Sequence, residues 1–293
     1  MNFDLIKKNQ YKFYFLMPAL TLILIFFALP NILNFFYAFT DWSAQKEAIN
    51  FRGFANFIEL SENNVIWESM FTTIKFALSV SIMQNILGLS AALALEKSTR
   101  FNTIMRTVYF VPVIFSPLAA SYIFQAILSS RGTINSLLNV LFETTVKIPF
   151  LGSQVWTIYV IAIVHSWKWF GFTMIVYLAA LKLIPRELLE AARVEGASGW
   201  KIITKIKLPL IGAAFTFNAV TSLAGSFSVL EIPWAMTRGG PGDATEVLNI
   251  LILEFFGYGR MGYATAGGLV LFLLVFLVAV PMIIFMRKRE VEL

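Results

Sequence analysis

Six stretches of this chain are apolar over the roughly 20 residues that a helix needs to cross a hydrocarbon core about 30 Å thick. They run over about 13–39, 69–95, 106–128, 156–181, 208–232 and 261–286. Six such runs in 293 residues leave little chain for anything else, and they predict an all-α membrane protein. The composition agrees, being 58% hydrophobic and 14% charged, where soluble domains average about 45–50% and about 25%. Twenty-nine Phe residues in so uncharged a chain are the reverse of a disordered composition.

Lys and Arg set the orientation. With the N-terminus inside, the inner segments hold Lys7, Lys8, Lys12, Lys97, Arg100, Arg106, six cations between Lys182 and Lys207, and Arg287, Lys288 and Arg289. The outer segments hold only Lys46, Arg52, Arg131, Lys147, Arg238 and Arg260, while Lys75 and Lys168 fall within spans. Both termini are therefore expected in the cytoplasm, and the net charge of +6 reads as topology rather than as affinity for nucleic acid. The first run follows three lysines as a signal peptide would, but it is longer than a signal core and no small-x-small site follows, so it reads as a retained anchor. No loop is long enough for a large soluble domain, which predicts one transmembrane domain over 1–293.

Several chemistries are excluded. The chain has no Cys and a single His, His165, so disulfides, thiolate sites and His-rich metal sites are out of reach. No Gly-Lys dipeptide occurs, so the chain carries no P-loop of its own. Paired carboxylates within the spans are missing too, which argues against a membrane enzyme.

The inner segment from about 182 to 207 is too helical for a connector. Pro185 suits a helix's first turn, and Glu187 and Glu190 stand near that positive end. Leu188, Leu189 and Ala192 make an apolar face before Gly196, Ser198 and Gly199 interrupt. A second short helix then carries Trp200, Ile203 and Ile206 on one side. From pattern alone this is either an amphipathic segment lying at the lipid interface or a docking element for a partner's groove.

The residues EAARVEGASGWKIITKIKLP decide between these by resemblance. They resemble the EAA loop of ABC-importer membrane subunits, matching at Glu190, Ala191, Ala192, Gly196, Ile206, Leu208 and Pro209; Glu195 stands where the family often has Asp, and Ala197 follows. FNTIMRTVYFVPVIFSPLAAS, LAALKLIPRELLEAA and MTRGGPGDATE are similar to segments of carbohydrate-type permeases, the last to the Gly-Gly-Pro-Gly turn of the maltose-type first subunit. The chain thus resembles the MalF-like subunit of a sugar importer in a six-span form, without the extra spans and large outer domain of the enterobacterial maltose subunit. The resemblance implies a type I importer permease bundle in the cytoplasmic membrane of a bacterium or archaeon. It implies a second, MalG-like permease as heterodimer partner, two copies of a cytoplasmic ABC ATPase, and an extracytoplasmic sugar-binding protein. ATP and magnesium would reside in the ATPase, with no cofactor on this chain. The EAA loop, including Glu190 to Ala197, would couple ATPase closure to helix movement.

A cargo path can be sought among polar residues at membrane depth. An ionisable side chain at the bilayer centre costs about 2.5–3.5 kcal/mol on insertion scales, so Lys168 should face a cavity, a partner or the surface. Trp167 and Trp169 flank it, and His165 lies one turn from Trp169; aromatic faces beside polar donors suit a sugar ring. By gapless alignment from Glu190, the resemblance places maltose-type contacts near His165 and Trp167. The competing reading packs these rings against neighbouring spans, which fits Trp169 best, and lets Lys168 snorkel. In the fifth span the resemblance makes Ser226, Phe227 and Ser228 candidates, although hydroxyls here are also common close-packing residues; Glu231, near the outer end, is either a gate or rim residue or simply solvated. Gln84 and Asn85 suit interhelical hydrogen bonds. The alternative function, a secondary transporter of a small polar solute, would call for inverted repeats and buried coupling carboxylates. Which sugar or polyol is carried stays open.

Overall fold

Apolar runs of this length fold as helices because hydrocarbon offers backbone N–H and C=O groups no partners but each other. The computed structural model describes residues 14–145, 147–288 and 290. Lys7, Lys8, Lys12 and Arg289, and Phe13 at the start of the first expected span, lie outside the described residues. In chain order the helices are α1 (Tyr14–Tyr37), α2 (Ala55–Glu62), α3 (Asn64–Ala94), α4 (Arg100–Ile114), α5 (Pro117–Leu128), α6 (Thr133–Phe142) and α7 (Thr157–Leu183). They continue as α8 (Arg186–Val194), α9 (Gly199–Leu210), α10 (Gly212–Phe227), α11 (Glu231–Thr237), α12 (Leu248–Gly257) and α13 (Met261–Arg287).

Four of these, α1, α3, α7 and α13, are each long and apolar enough to cross a membrane. Two bent pairs make up six if each is one span: α4 with α5–α6, bent by 98°, and α9 with α10, bent by 70°. The third and fifth expected spans, 106–128 and 208–232, are therefore not continuous helices. In the third, Phe115 and Ser116 are extended, because a residue before proline is pushed out of the helical region and Pro117 follows. In the fifth, the chain turns at Ile211 and the membrane helix proper runs only from Gly212 to Phe227.

Two other prolines leave a subtler mark. α1 carries a five-residue π turn at Leu24–Ala28, and α9 one at Ile203–Lys207. Each ends two residues before a proline, Pro30 and Pro209. Leu29 N–H reaches back to Leu24 O, and Leu208 N–H to Ile203 O. A proline ring crowds the carbonyl four residues back and donates nothing to it; a widened turn ahead of the ring relieves both demands.

The chain divides into two compact units. One comprises described residues 14–63 and 252–270, the other 64–251, 271–288 and 290. In the first, the outer end of α1 is tied down by Asn56, whose amide donates to the carbonyls of Ala38 and Thr40 at 2.8 Å each. Gly262 backs so closely onto the Thr40 carbonyl that a Cβ there would collide with it. Arg260 pairs with Glu59. Asp41 accepts from the Lys46 ammonium and from the Asn50 N–H, both at 2.7 Å. These bonds, the Lys46 contact foremost, lower its carboxyl from the ordinary 3.8 to about 2.

In the second unit, α7 packs against α3 and α4, and α3 against α10. Glycines set the approach. A Cβ on Gly88 of α3 would sit 2.6 Å from Thr173 Cγ2, and one on Gly171 of α7 would strike the Tyr109 carbonyl of α4. Phe76, Val80, Ile161, Val164 and Ile232 fill one core, and Ala92, Met174, Tyr177, Leu181 and Ile211 another. Between them runs a buried polar chain: Tyr177 Oη donates to Asn85 Oδ1 at 2.6 Å, and Asn85 Nδ2 to Ser222 Oγ at 3.0 Å. Gln84 Nε2 donates to Thr173 Oγ1 at 2.8 Å.

Two measurements check this packing. Gly88→Val should lower the thermal midpoint in detergent by several degrees, since overpacking costs about 1–3 kcal/mol, whereas Gly257→Ala, with no atom within 4 Å of its Cβ position, should leave it unchanged. The Asp41 carboxyl, with its folded pKa depressed, supports the outer loop above its ordinary pKa of 3.8 and loses that support as pH falls toward about 2. The protection factor of the Asn50 amide, the free-peptide exchange rate at the same pH divided by its observed rate, should accordingly fall across that window, and Asp41→Asn should remove that fall.

Candidate functional site

A cavity of about 280 Å³ opens in the second unit between α3, α5, α7, α10 and α11. Two helices supply its opposed stripes. On α7, His165, Trp169 and Phe172 recur at i, i+4 and i+7, one face of a helix. On α10 and just beyond it, Thr221, Gly225 and Ser228 repeat the same spacing and are exposed. Gln84 and Ser222 form part of the wall, each already engaged in the buried polar chain. Pro117 lines it from α5, and Glu231 from the first turn of α11.

His165 is 8% exposed, stands edge-on to Phe76 with centroids 5.5 Å apart, and its Nδ1 has no hydrogen-bond partner among the described residues. Its ring and the Trp169 ring lie 6.5 Å apart. An imidazole nitrogen with spare hydrogen-bonding capacity, an indole face and small hydroxyls give the wall stacking and neutral hydrogen-bonding capacity, beside the carboxylate of Glu231.

Of the expected path residues, His165, Ser228 and Glu231 line this cavity. Trp167, Lys168, Ser226 and Phe227 do not. Trp167 packs edge-on to Phe124 at 4.9 Å. Ser226 is fully buried and donates to the Ser222 carbonyl at 2.6 Å, and Phe227 lies in a core with Ala77 and Leu223. Lys168 is 1% exposed, with its Nζ donating to the Val113 carbonyl at 3.1 Å. Trp169, which the sequence assigned to packing, is on the wall, as are Thr221, Gly225 and Phe172. Their common signal was present in the i, i+4, i+7 spacing.

The second candidate site is the inner loop. α8 ends in a Schellman motif: Ala197 N–H bonds to Ala192 O at 2.9 Å and Gly196 N–H to Arg193 O at 3.0 Å. Gly196 has φ +77°, and a Cβ there would meet nothing among the described residues within 4 Å, so its requirement is conformational rather than spatial. Ser198 caps α9 by accepting from Lys201 N–H. Glu190, Ala191 and Glu195 are exposed, Ala192 and Ala197 half-buried, and no residue of α8 is buried. Val194 and Trp200 are 88% and 73% exposed. Ile206 and Leu208 are half-buried, Pro209 exposed. At the loop's exit, Lys207 pairs with Glu96 just beyond α3. There Arg106 of α4 also donates to the carbonyls of Leu95, Glu96 and Lys97, a cation seated on a helix C-terminus. The loop is thereby tied to α3 at its exit, and α8 packs Leu189 against the core around Tyr177 and Leu181 while its other side is exposed.

The family model for binding-protein-dependent transport system inner membrane components matches residues 84–289. A probable starch degradation products transport system permease protein, AmyD of Thermoanaerobacterium thermosulfurigenes, is 28% identical over 98% of this chain and 97% of that one. The trehalose/maltose transport system permease protein MalF of Thermococcus litoralis is 27% identical over 94% and 95%. A crystallised bacterial alginate ABC transporter, in complex with its alginate pentasaccharide-bound periplasmic protein, contains a chain of the same fold, with TM-score 0.82 and 23% identity over 98% of each chain.

Gly196→Ala adds one methyl into open space yet forces an L-residue into the left-handed region, at a cost of about 1–2 kcal/mol. Exchange of the Ala197 amide should rise about ten-fold, with the exchange of α7 amides unaltered.

Proposed function

This chain belongs to the family of binding-protein-dependent transport system inner membrane components, and from that premise we propose that it forms half of the path by which a sugar enters the cell. It is a multi-pass permease subunit of an ABC transporter and not an enzyme; ATP hydrolysis belongs to a separate partner chain. The family membership displaces the secondary-transporter alternative. The observation that carries the sugar assignment is the end-to-end match to permeases named for starch degradation products and for trehalose and maltose.

The cavity supports it. His165, Trp169, Thr221 and Ser228 would hold a mono- or oligosaccharide by stacking and neutral hydrogen bonds, with Glu231 at the rim. The inner loop, from Glu190 through Ala191, Ala192, Glu195, Gly196 and Ala197 to Ile206, Leu208 and Pro209, would seat in a groove of the ATPase. Its uncovered apolar side chains, Val194 and Trp200, suit burial there. The assembly would pair this chain with a second, different permease subunit, as one transmembrane domain each. Two ATPase copies holding ATP and magnesium would sit below, and a sugar-binding protein outside, in the cytoplasmic membrane of a bacterium or archaeon.

Co-expression with the ATPase and purification through a tag on this chain tests the loop. Wild type should retain the ATPase, whereas Glu190→Lys and Gly196→Asp should lose it; retention with undiminished sugar-stimulated hydrolysis would refute the coupling role. Trp169→Ala should cut sugar import about ten-fold, since one stacked aromatic in a cavity is worth roughly 0.5–1.5 kcal/mol beyond its burial, and leave ATPase retention intact.

A further inference from the structure

α4 stops at Ile114, and the extended residues Phe115 and Ser116 separate it from α5. In a continuing helix the Val113 carbonyl would accept from the N–H of the residue four places on. That residue is Pro117, which has none. No regular α-helical continuation could therefore satisfy this oxygen, which lies within the third apolar run. Its partner arrives from another helix: Lys168 Nζ of α7 donates to it at 3.1 Å. The same ammonium sits 4.1 Å from the centroid of the Trp169 ring. Register between the two helices is fixed nearby, where Gly171 lets α7 approach the Tyr109 carbonyl. Three residues along α7 from that contact, and four along α4, Lys168 meets Val113. Pro117 and Trp169 both line the cavity, whereas Lys168 does not.

We propose that Lys168 is a positioning residue: its ammonium satisfies the carbonyl left open by the break before Pro117, and so holds the Pro117 and Trp169 walls of the cavity in place. It touches no cargo. A lysine suits the role because it spans from α7 to the far carbonyl on a slender stem and still presents charge to the indole face. The proposal rests on the reading of the cavity as the cargo path.

Proteoliposomes containing the whole transporter, with its loaded sugar-binding protein, give two readouts on one sample: sugar imported and ATP hydrolysed. Lys168→Met keeps length and removes the donor. Import should fall about ten-fold, the size of one charged hydrogen bond, while binding-protein-stimulated hydrolysis stays within two-fold, so that sugar imported per ATP drops. Lys168→Arg and Lys168→Gln, which retain N–H donors, should recover part of the ratio. With two transported sugars the loss should be of similar size for both, because the wall rather than a cargo contact is displaced. Import equal to wild type, a parallel fall of import and hydrolysis, or a loss confined to one sugar would each overturn the proposal. If Lys168→Met does not insert, Lys168→Leu, which also lacks a donor, decides: a lowered ratio with intact hydrolysis supports the role, and a wild-type ratio overturns it. Wild type that hydrolyses ATP but imports no sugar would instead remove the transport reading itself.

Discussion

A backbone carbonyl in hydrocarbon has no water to turn to, and the interior of this bundle is arranged around that fact. Each one left open would cost several kcal/mol, as much as a sizeable part of a membrane domain's stability. Regular helices meet the demand along most of α3 and α7. Where the chain bends, other groups must serve the open backbone: Arg106 donates to carbonyls at the end of α3 and Lys168 to one at the end of α4, the Gly196 and Ala197 N–H groups close the end of α8, and Ser198 Oγ accepts an N–H at the start of α9. Three of these four positions are polar or charged side chains in an apolar sequence, each placed where a helix ends.

α7 carries much of the second unit. It meets α4 at Gly171 and, on another side, α3 at Thr173 opposite Gly88, both at close approach. A further face bears His165, Trp169 and Phe172 toward the cavity, and Tyr177 anchors the buried polar chain from below. A helix fixed on so many sides keeps its aromatic stripe rigid, and rigid aromatic walls bind at low entropic cost. The facing stripe on α10 is built from the smallest side chains, which leaves the cavity its depth.

How much of this the sequence discloses depends on the range over which each feature is determined. Hydropathy locates the apolar stretches because it counts composition, but composition is blind to direction, so the bends at Ser116 and Ile211 escaped it even though Pro117 and Gly212 were in view. Gly196 is readable because a helix C-cap is a local matter. Lys168 is not: its partner lies 55 residues away, and only the fold reveals that the carbonyl it serves is the one Pro117 leaves open. Ser226 and Phe227 became path candidates through resemblance to other permeases, and a resemblance along one span does not tell which side its neighbours cover; the structure buries both and exposes Ser228. Trp169 was hidden by its neighbour Trp167, although only one of the two shares a helical face with His165.

The π turns in α1 and α9 have an effect on any helical wheel drawn through them. Each interposes one surplus residue in the winding, and at 3.6 residues per turn one residue is worth about 100° of azimuth. A stripe of side chains that points one way before Leu24 is therefore turned by roughly a quarter of a circle beyond Ala28, and likewise across Ile203–Lys207. The two halves of such a helix address different surroundings while sharing one axis. The residues that set this offset are prolines, so the angle between the two halves is written into the covalent chain.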